Sequence, residues 1–137
     1  MSCKSTVDIN TYFKKIPQTN VSKDKIENAE SFIKMYLETC SIENSEATFT
    51  NRFVTYNEKY GEILCKGINN RNGKIVTINF EELRGDGHSY LIYRFKVKFE
   101  NIDKISEVRV SEKFTGEYET IIVRNEWSDI LKSSNKF

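Results

Sequence analysis

The sequence predicts an α+β domain in which N-terminal helices pack on a curved antiparallel sheet of about five to six strands. Three observations carry this. Residues 90–99 alternate without a break, with Leu91, Tyr93, Phe95, Val97 and Phe99 on one side and Tyr90, Ile92, Arg94, Lys96 and Lys98 on the other. A period of two over that length is a half-buried strand. Residues 23–40 instead place Ile26, Ala29, Phe32, Ile33, Tyr36, Leu37 and Cys40 at steps of three and four. That is one helical stripe, and one stripe asks for one partner surface, a sheet. Finally, 137 residues with 38% hydrophobic and 12% aromatic content suffice for one core without metal or disulfide staples.

In chain order, residues 1–7 read as a polar lead. Asp8 is placed to cap a short helix over residues 9–16, whose Ile9, Tyr12, Phe13 and Ile16 share a face, and Pro17 ends it. Ser22 caps the main helix, and Glu30 with Lys34 forms a favourable i,i+4 pair on its solvent side. After a polar loop, residues 47–56 are rich in β-formers and read as a strand. Residues 62–68 and 74–82 read as two more, joined through the hairpin signal Asn72-Gly73. Two registers stay open there, Cys65 opposite Phe80 or Leu64 opposite Ile78.

A loop at residues 84–87 sets Phe80 opposite Leu91, Ile78 opposite Tyr93 and Val76 opposite Phe95. A loop at residues 100–103 sets Phe95 opposite Val108, Tyr93 opposite Val110 and Lys96 opposite Glu107. It also sets Arg94 opposite Arg109, a like-charge contact that a flanking acid or a longer loop must relieve. A final turn at residues 113–117 sets Val110 opposite Thr120 and Val108 opposite Ile122. Trp127 anchors the end, and the polar tail beyond Asp129 frays. The domain organisation is then a lead with a short helix (1–21), one α+β domain (22–127) and a tail (128–137).

Charge excludes some classes of function. Acidic and basic residues nearly cancel at +1, in both halves of the chain, which is not the footprint of a nucleic-acid binder. No apolar run approaches the roughly 18 residues of a membrane span. Three cysteines without CxxC read either as buried thiols of a reducing compartment or, on a sharper reading, as a lipoprotein. In the second case Cys3, beside the start and before a polar run, carries lipid, and Cys40 and Cys65 remain as a candidate pair.

The helix around Ala29-Glu30-Ser31-Phe32-Ile33, followed by the strands at residues 90–99, 104–110 and 118–123, resembles the nuclear transport factor two-like superfamily, within the cystatin-like α+β group. The resemblance is one of element order over residues 22–124. It implies a sheet curled around the helix into a cone, and members often dimerise through the outer sheet face. Its members include isomerases, hydratases, transport adaptors and immunity proteins, so it does not fix a function.

The candidate sites follow from which side each residue faces. Tyr93, Tyr118 and Thr120, with Tyr56, project inward in these registers and would line the cone mouth as hydrogen-bonding groups for a small ligand. The plain alternative is that their hydroxyls reach the rim or the backbone. Arg94, Lys96, Lys98 and Arg109 form a basic outer row, a contact surface for an acidic partner or a solvated face. His88 lacks a partner acid in a pocket and reads as a turn residue, and Arg84-Gly85-Asp86 is explained by the turn it sits in. No metal, cofactor or catalytic motif is implied. The functional expectation is a non-enzymatic binding module, secreted or lipid-anchored, for a small-molecule or protein ligand. A small isomerase or hydratase and an immunity or adaptor protein are the alternatives. Isomerases of the superfamily place an acid in the cone, and no inward Asp or Glu is assigned in this sequence.

Overall fold

The computed structural model describes residues 9–43 and 45–132; Cys3, Asp8 and the last five residues lie outside them. The first helix is only one turn, α1 (Ile9–Tyr12). The chain then extends into β1 (Lys14–Ile16), where a helix to residue 16 was expected. Pro17 explains the change, because a residue preceding proline is pushed out of the helical region. Strand β1 pairs with residues 83–85.

Helix α2 (Lys23–Thr39) forms as its pattern predicts. The Ser22 side chain accepts from the Lys25 backbone N–H, and Glu30 pairs with Lys34 at 3.2 Å. Ala29, Phe32, Ile33, Tyr36 and Leu37 are buried against the sheet. The helix ends at Cys40, in the left-handed region at φ 55°.

Residues 51–72 are one helix, α3, built from Asn51–Tyr56, a π turn at Asn57–Gly61, and Glu62–Asn72. Both strands expected in 47–56 and 62–68 are absent, and the hairpin through Asn72-Gly73 with them. Thr50 is the helix cap, its hydroxyl accepting from the Phe53 N–H at 3.1 Å. The buried side of α3 is Phe53, Asn57, Gly61, Cys65 and Asn72. Gly61 is demanded by space: a Cβ there would lie 2.8 Å from Asn57 Oδ1 and 3.2 Å from the Tyr36 hydroxyl. Cys65 is bonded to Cys40, with Cα atoms 5.6 Å apart, so the reading of free buried thiols gives way to a disulfide joining α2 to α3.

The sheet is a five-stranded antiparallel meander, β1 to β5 in order, with β2 (Ile75–Gly85), β3 (Tyr90–Phe99), β4 (Ser106–Lys113) and β5 (Tyr118–Arg124). The β3–β4 register is as derived: Phe95 faces Val108, Tyr93 faces Val110, Lys96 faces Glu107 and Arg94 faces Arg109. The β2–β3 register is not, since Phe80 faces Phe95 and Ile78 faces Val97. Arg84 and Gly85 stay in the strand because β1 pairs with them, and the turn falls at residues 86–89. Asp86 holds that turn, its Oδ1 accepting from the N–H groups of His88, Ser89 and Tyr90. Burial alone would raise the Asp86 pKa, but these bonds outweigh it and hold the carboxyl below its ordinary value. The β4–β5 register slips by one residue at a bulge on Glu119, so Val108 faces Val123 and Val110 faces Ile121. A one-residue slip exchanges the faces of everything after it. Thr120 therefore points outward, hydrogen-bonded to Ser111 at 2.6 Å, rather than into the core.

The inner side of β3 is the centre of the core, as expected. The outer side is not a solvated basic row. Arg94 and Glu107 are wholly buried and Arg109 nearly so. Glu107 Oε2 takes Arg94 Nε at 2.7 Å and Arg109 Nη1 at 3.4 Å, which relieves the like-charge contact. Glu82 Oε2 takes Arg94 Nη1 at 2.5 Å and Arg84 Nε at 2.6 Å. The chain itself covers this network. Trp127 lies on the Arg94 guanidinium at 4.2 Å, Ser128 carbonyl accepts from Arg94 Nη2, and buried Leu131 exchanges two hydrogen bonds with Asn10. Trp127 anchors the strand end as expected, but the chain does not fray at Asp129.

Candidate functional site

Between helices and sheet, a wall of aromatic rings divides the interior. Phe32 stacks on Tyr118 at 4.8 Å and Phe49 on Phe53 at 5.4 Å. Each side of the wall opens to a groove.

The larger groove, about 630 Å³, lies between α3 and the edge strand β5. The two elements are tied together at both ends. At one end Thr50 N–H donates to Tyr118 carbonyl at 3.1 Å and Tyr118 N–H to Thr48 carbonyl at 2.9 Å. At the other, Asn72 Nδ2 donates to Asn125 Oδ1 at 3.1 Å. Between the ties they part, and the floor is apolar: Leu37, Cys65, Ile68, Ile121 and Val123. The Tyr36 hydroxyl donates to Asn57 Oδ1 in this wall. Along the open lip of α3 stand Tyr56 and Leu64, exposed by 42% and 51%, with the Tyr60 ring tilted against Tyr56 at 6.0 Å. Tyr60 and Ile63, on the neighbouring outer side of the helix, are exposed by 59% and 72%. Opposite the lip, β5 ends the sheet. From Thr120 to Val123, no backbone group of the described residues pairs with its outer side. Its middle reads Thr120-Ile121-Ile122-Val123, without charge or proline.

Edge strands are usually kept from pairing by shortness, lysines or bulges. Strand β1 has three residues and two lysines, and β2 beyond it is broken by bulges at Val76 and Glu81. Strand β5 has a single bulge, at its start.

The second groove, about 580 Å³, lies between the first half of α2, the segment at residues 45–48 and the β4–β5 turn. Glu112 is its buried acid. Its Oε1 accepts from the Tyr93 hydroxyl at 2.6 Å, and Lys25 Nζ stands 3.4 Å from both carboxylate oxygens. Tyr93 is fully buried beneath Glu112; Tyr118 lines the groove.

Of the four residues expected at one mouth, then, Tyr93 and Tyr118 come together, Tyr56 belongs to the other groove, and Thr120 is on the opposite face of the sheet. Of the outer row, Arg94 and Arg109 are inside the covered network, while Lys96 and Lys98 are half-buried, the first over Trp127 at 5.2 Å and the second bonded to backbone carbonyls. The acid that the sequence reading did not assign is Glu112. It lies two residues beyond Val110, so the register already derived for β3 and β4 puts it inward. The place of Leu64 on the groove lip has no trace in a strand reading of residues 62–68.

Burial leaves a titration signature. It pushes the Tyr36 phenol up to about 12, helped by the nearby Tyr56 and Glu62, and Tyr118 likewise to about 12, helped by Glu112. Tyr93 is raised further, by burial and by its bond to Glu112. A phenol whose folded pKa is raised stabilises the fold fully below its unfolded value of 10.0. That contribution is lost as pH climbs towards 12. Spectrophotometric titration of the folded protein should show these three tyrosines un-ionised at about pH 11, where a free phenol has ionised. Their release should coincide with alkaline unfolding; ionisation of all seven near 10.0 would contradict the burial.

Among the described residues, no cluster of three or more His, Cys, Asp or Glu side chains could hold a metal ion, and no helix is long and apolar enough to cross a membrane. Comparison with protein-family models, with curated proteins and with solved structures found no match.

Proposed function

We propose that this chain is a non-enzymatic binding module that takes an extended segment of a partner protein along β5, under the lip of α3. The observation that carries the reading is the uncharged edge of residues 120–123, without backbone partners on its outer side, across the groove from the exposed Tyr56 and Leu64. Unpaired strand backbone recognises one chemistry above others, another strand. Main-chain bonds to β5 would supply affinity, and the apolar floor would receive alternate side chains of the incoming segment. The chain already uses this mode on itself, for residues 48–50 pair with Tyr118 and then turn away at Asn51. The edge beyond is the continuation of that pairing.

The element order that resembles the nuclear transport factor two-like superfamily is compatible with such a role, since adaptors and immunity proteins occur there. The Cys40–Cys65 bond supports an oxidising compartment, which suits a secreted or envelope protein. An isomerase-type reading gains Glu112 as its acid, but Tyr93 is sealed beneath that carboxylate and Lys25 neutralises it. A phenol without access to the groove has no route to a substrate, so acid–base work is disfavoured.

Selection from a randomised dodecapeptide library tests the proposal. Binders should be rich in β-branched and aromatic residues at alternate positions. Leu64→Glu should abolish their binding while moving stability by no more than about 0.5 kcal/mol, as for other exposed sites. Binders indifferent to Leu64→Glu and to Tyr56→Ser would place the interaction elsewhere.

A further inference from the structure

We propose that the second groove is an independent binding site for an organic ammonium ion, with Glu112 as its counter-ion. Glu112 is fixed, being nine-tenths buried and held from below by Tyr93 at 2.6 Å. Its cationic partner is not. Lys25 approaches from α2 with nearly half its side chain in solvent, and both of its contacts are long, 3.4 Å. Lysine is a strongly hydrated point charge on a flexible stem, so it returns to water at little cost. The carboxylate cannot, and needs a cation in its place. A ligand ammonium would replace Lys25 at Glu112, and a short apolar arm would lie against Phe32 and Tyr118, whose stacked rings offer a π surface to a positive charge. Glu46 on the facing segment adds a second negative charge to the lining.

An anionic ligand is the opposite case. It would have to draw Lys25 away from Glu112 and leave a buried carboxylate with only a phenol for company, an arrangement that proteins avoid. The groove thus selects by sign, although its lining is of mixed charge.

Titration of the intact, disulfide-bonded protein with 2-phenylethylammonium and with 3-phenylpropionate, probes of similar shape and opposite charge, tests this. The Met35 methyl resonance reports occupancy, since Met35 lines the groove. The ammonium probe should bind and the carboxylate should not. Glu112→Gln should weaken the ammonium probe by at least about thirtyfold, as expected when one member of a buried charge pair is lost. Lys25→Met should strengthen it by roughly two- to fivefold, the scale of a half-exposed ion pair removed from competition. Lys25 stands nearly half in solvent, and in Lys25→Met the ammonium probe itself supplies the cation that Glu112 lacks, so this second variant keeps the test valid if Glu112→Gln does not fold. Preference for the carboxylate, weakening by Lys25→Met, or no response of Met35 to either probe at millimolar concentration would overturn the assignment.

Discussion

Replacing Cys40 and Cys65 together by alanine is expected to lower the free energy of unfolding by roughly 3.5 kcal/mol. The bond spans 25 residues of sequence. Closing a loop of that length in the unfolded chain removes conformational entropy worth about this much. Against a total stability of about 5–15 kcal/mol for a domain, the loss is large. Its effect should be local as well as global. The bond is the covalent link between α2 and α3, and it sits in the floor of the larger groove. Urea unfolding with and without reductant measures it. A midpoint unmoved by reductant would mean that the two sulfurs do not cross-link the folded chain.

The second large effect is expected from Glu107→Gln. Glu107 is wholly buried and faces Arg94, Arg109 and Arg124, at 2.7, 3.4 and 3.8 Å. Burial and the neighbouring arginines already depress the Arg109 pKa, although Glu107 opposes this. Removing the carboxylate's charge leaves buried guanidinium groups out of water without the acid they share, which should cost about 3–5 kcal/mol. The double replacement Glu107→Leu with Arg94→Met should cost clearly less than the sum of its parts, because buried ion pairs repay their desolvation only while both members remain. A double-mutant cycle in urea makes the comparison. Additive costs would show that Arg94 and Glu107 do not act as a pair.

The network also shows where sequence reading reached and where it stopped. The β3–β4 register was legible because ten alternating residues and a short loop leave one way to put apolar against apolar. The Arg94–Arg109 contact it implied is real, and its relief by a flanking acid is Glu107. What the pattern could not show is that Trp127, Ser128 and Leu131 fold back over that face, because long-range covering by a tail leaves no periodic trace.

Helix α3 was misread for a physical reason that bears on function. Its buried stripe is Phe53, Asn57, Gly61 and Cys65, a set whose middle members are polar or absent side chains, admitted by the Tyr36 hydroxyl. Its exposed lip is apolar. Hydrophobic periodicity assumes that apolar residues face inward. A helix that keeps them outward defeats the assumption, and the β-propensity of Thr50, Phe53, Val54, Thr55 and Tyr56 then wins the local vote. The β4–β5 slip has a comparable origin, since one bulge at Glu119 is invisible to alternation yet decides which face Thr120 and Ile121 take.

The claim that β5 receives a partner strand is tested most directly by amide hydrogen exchange of the intact protein, free and saturated with a library-selected peptide. In the free protein, alternate amides of residues 120–123 point away from β4 and should exchange quickly. With peptide bound, those outward amides should become protected at least about tenfold, while the inward amides between them, already paired with β4, change little. Protection confined to α3, or none along β5, would contradict the account.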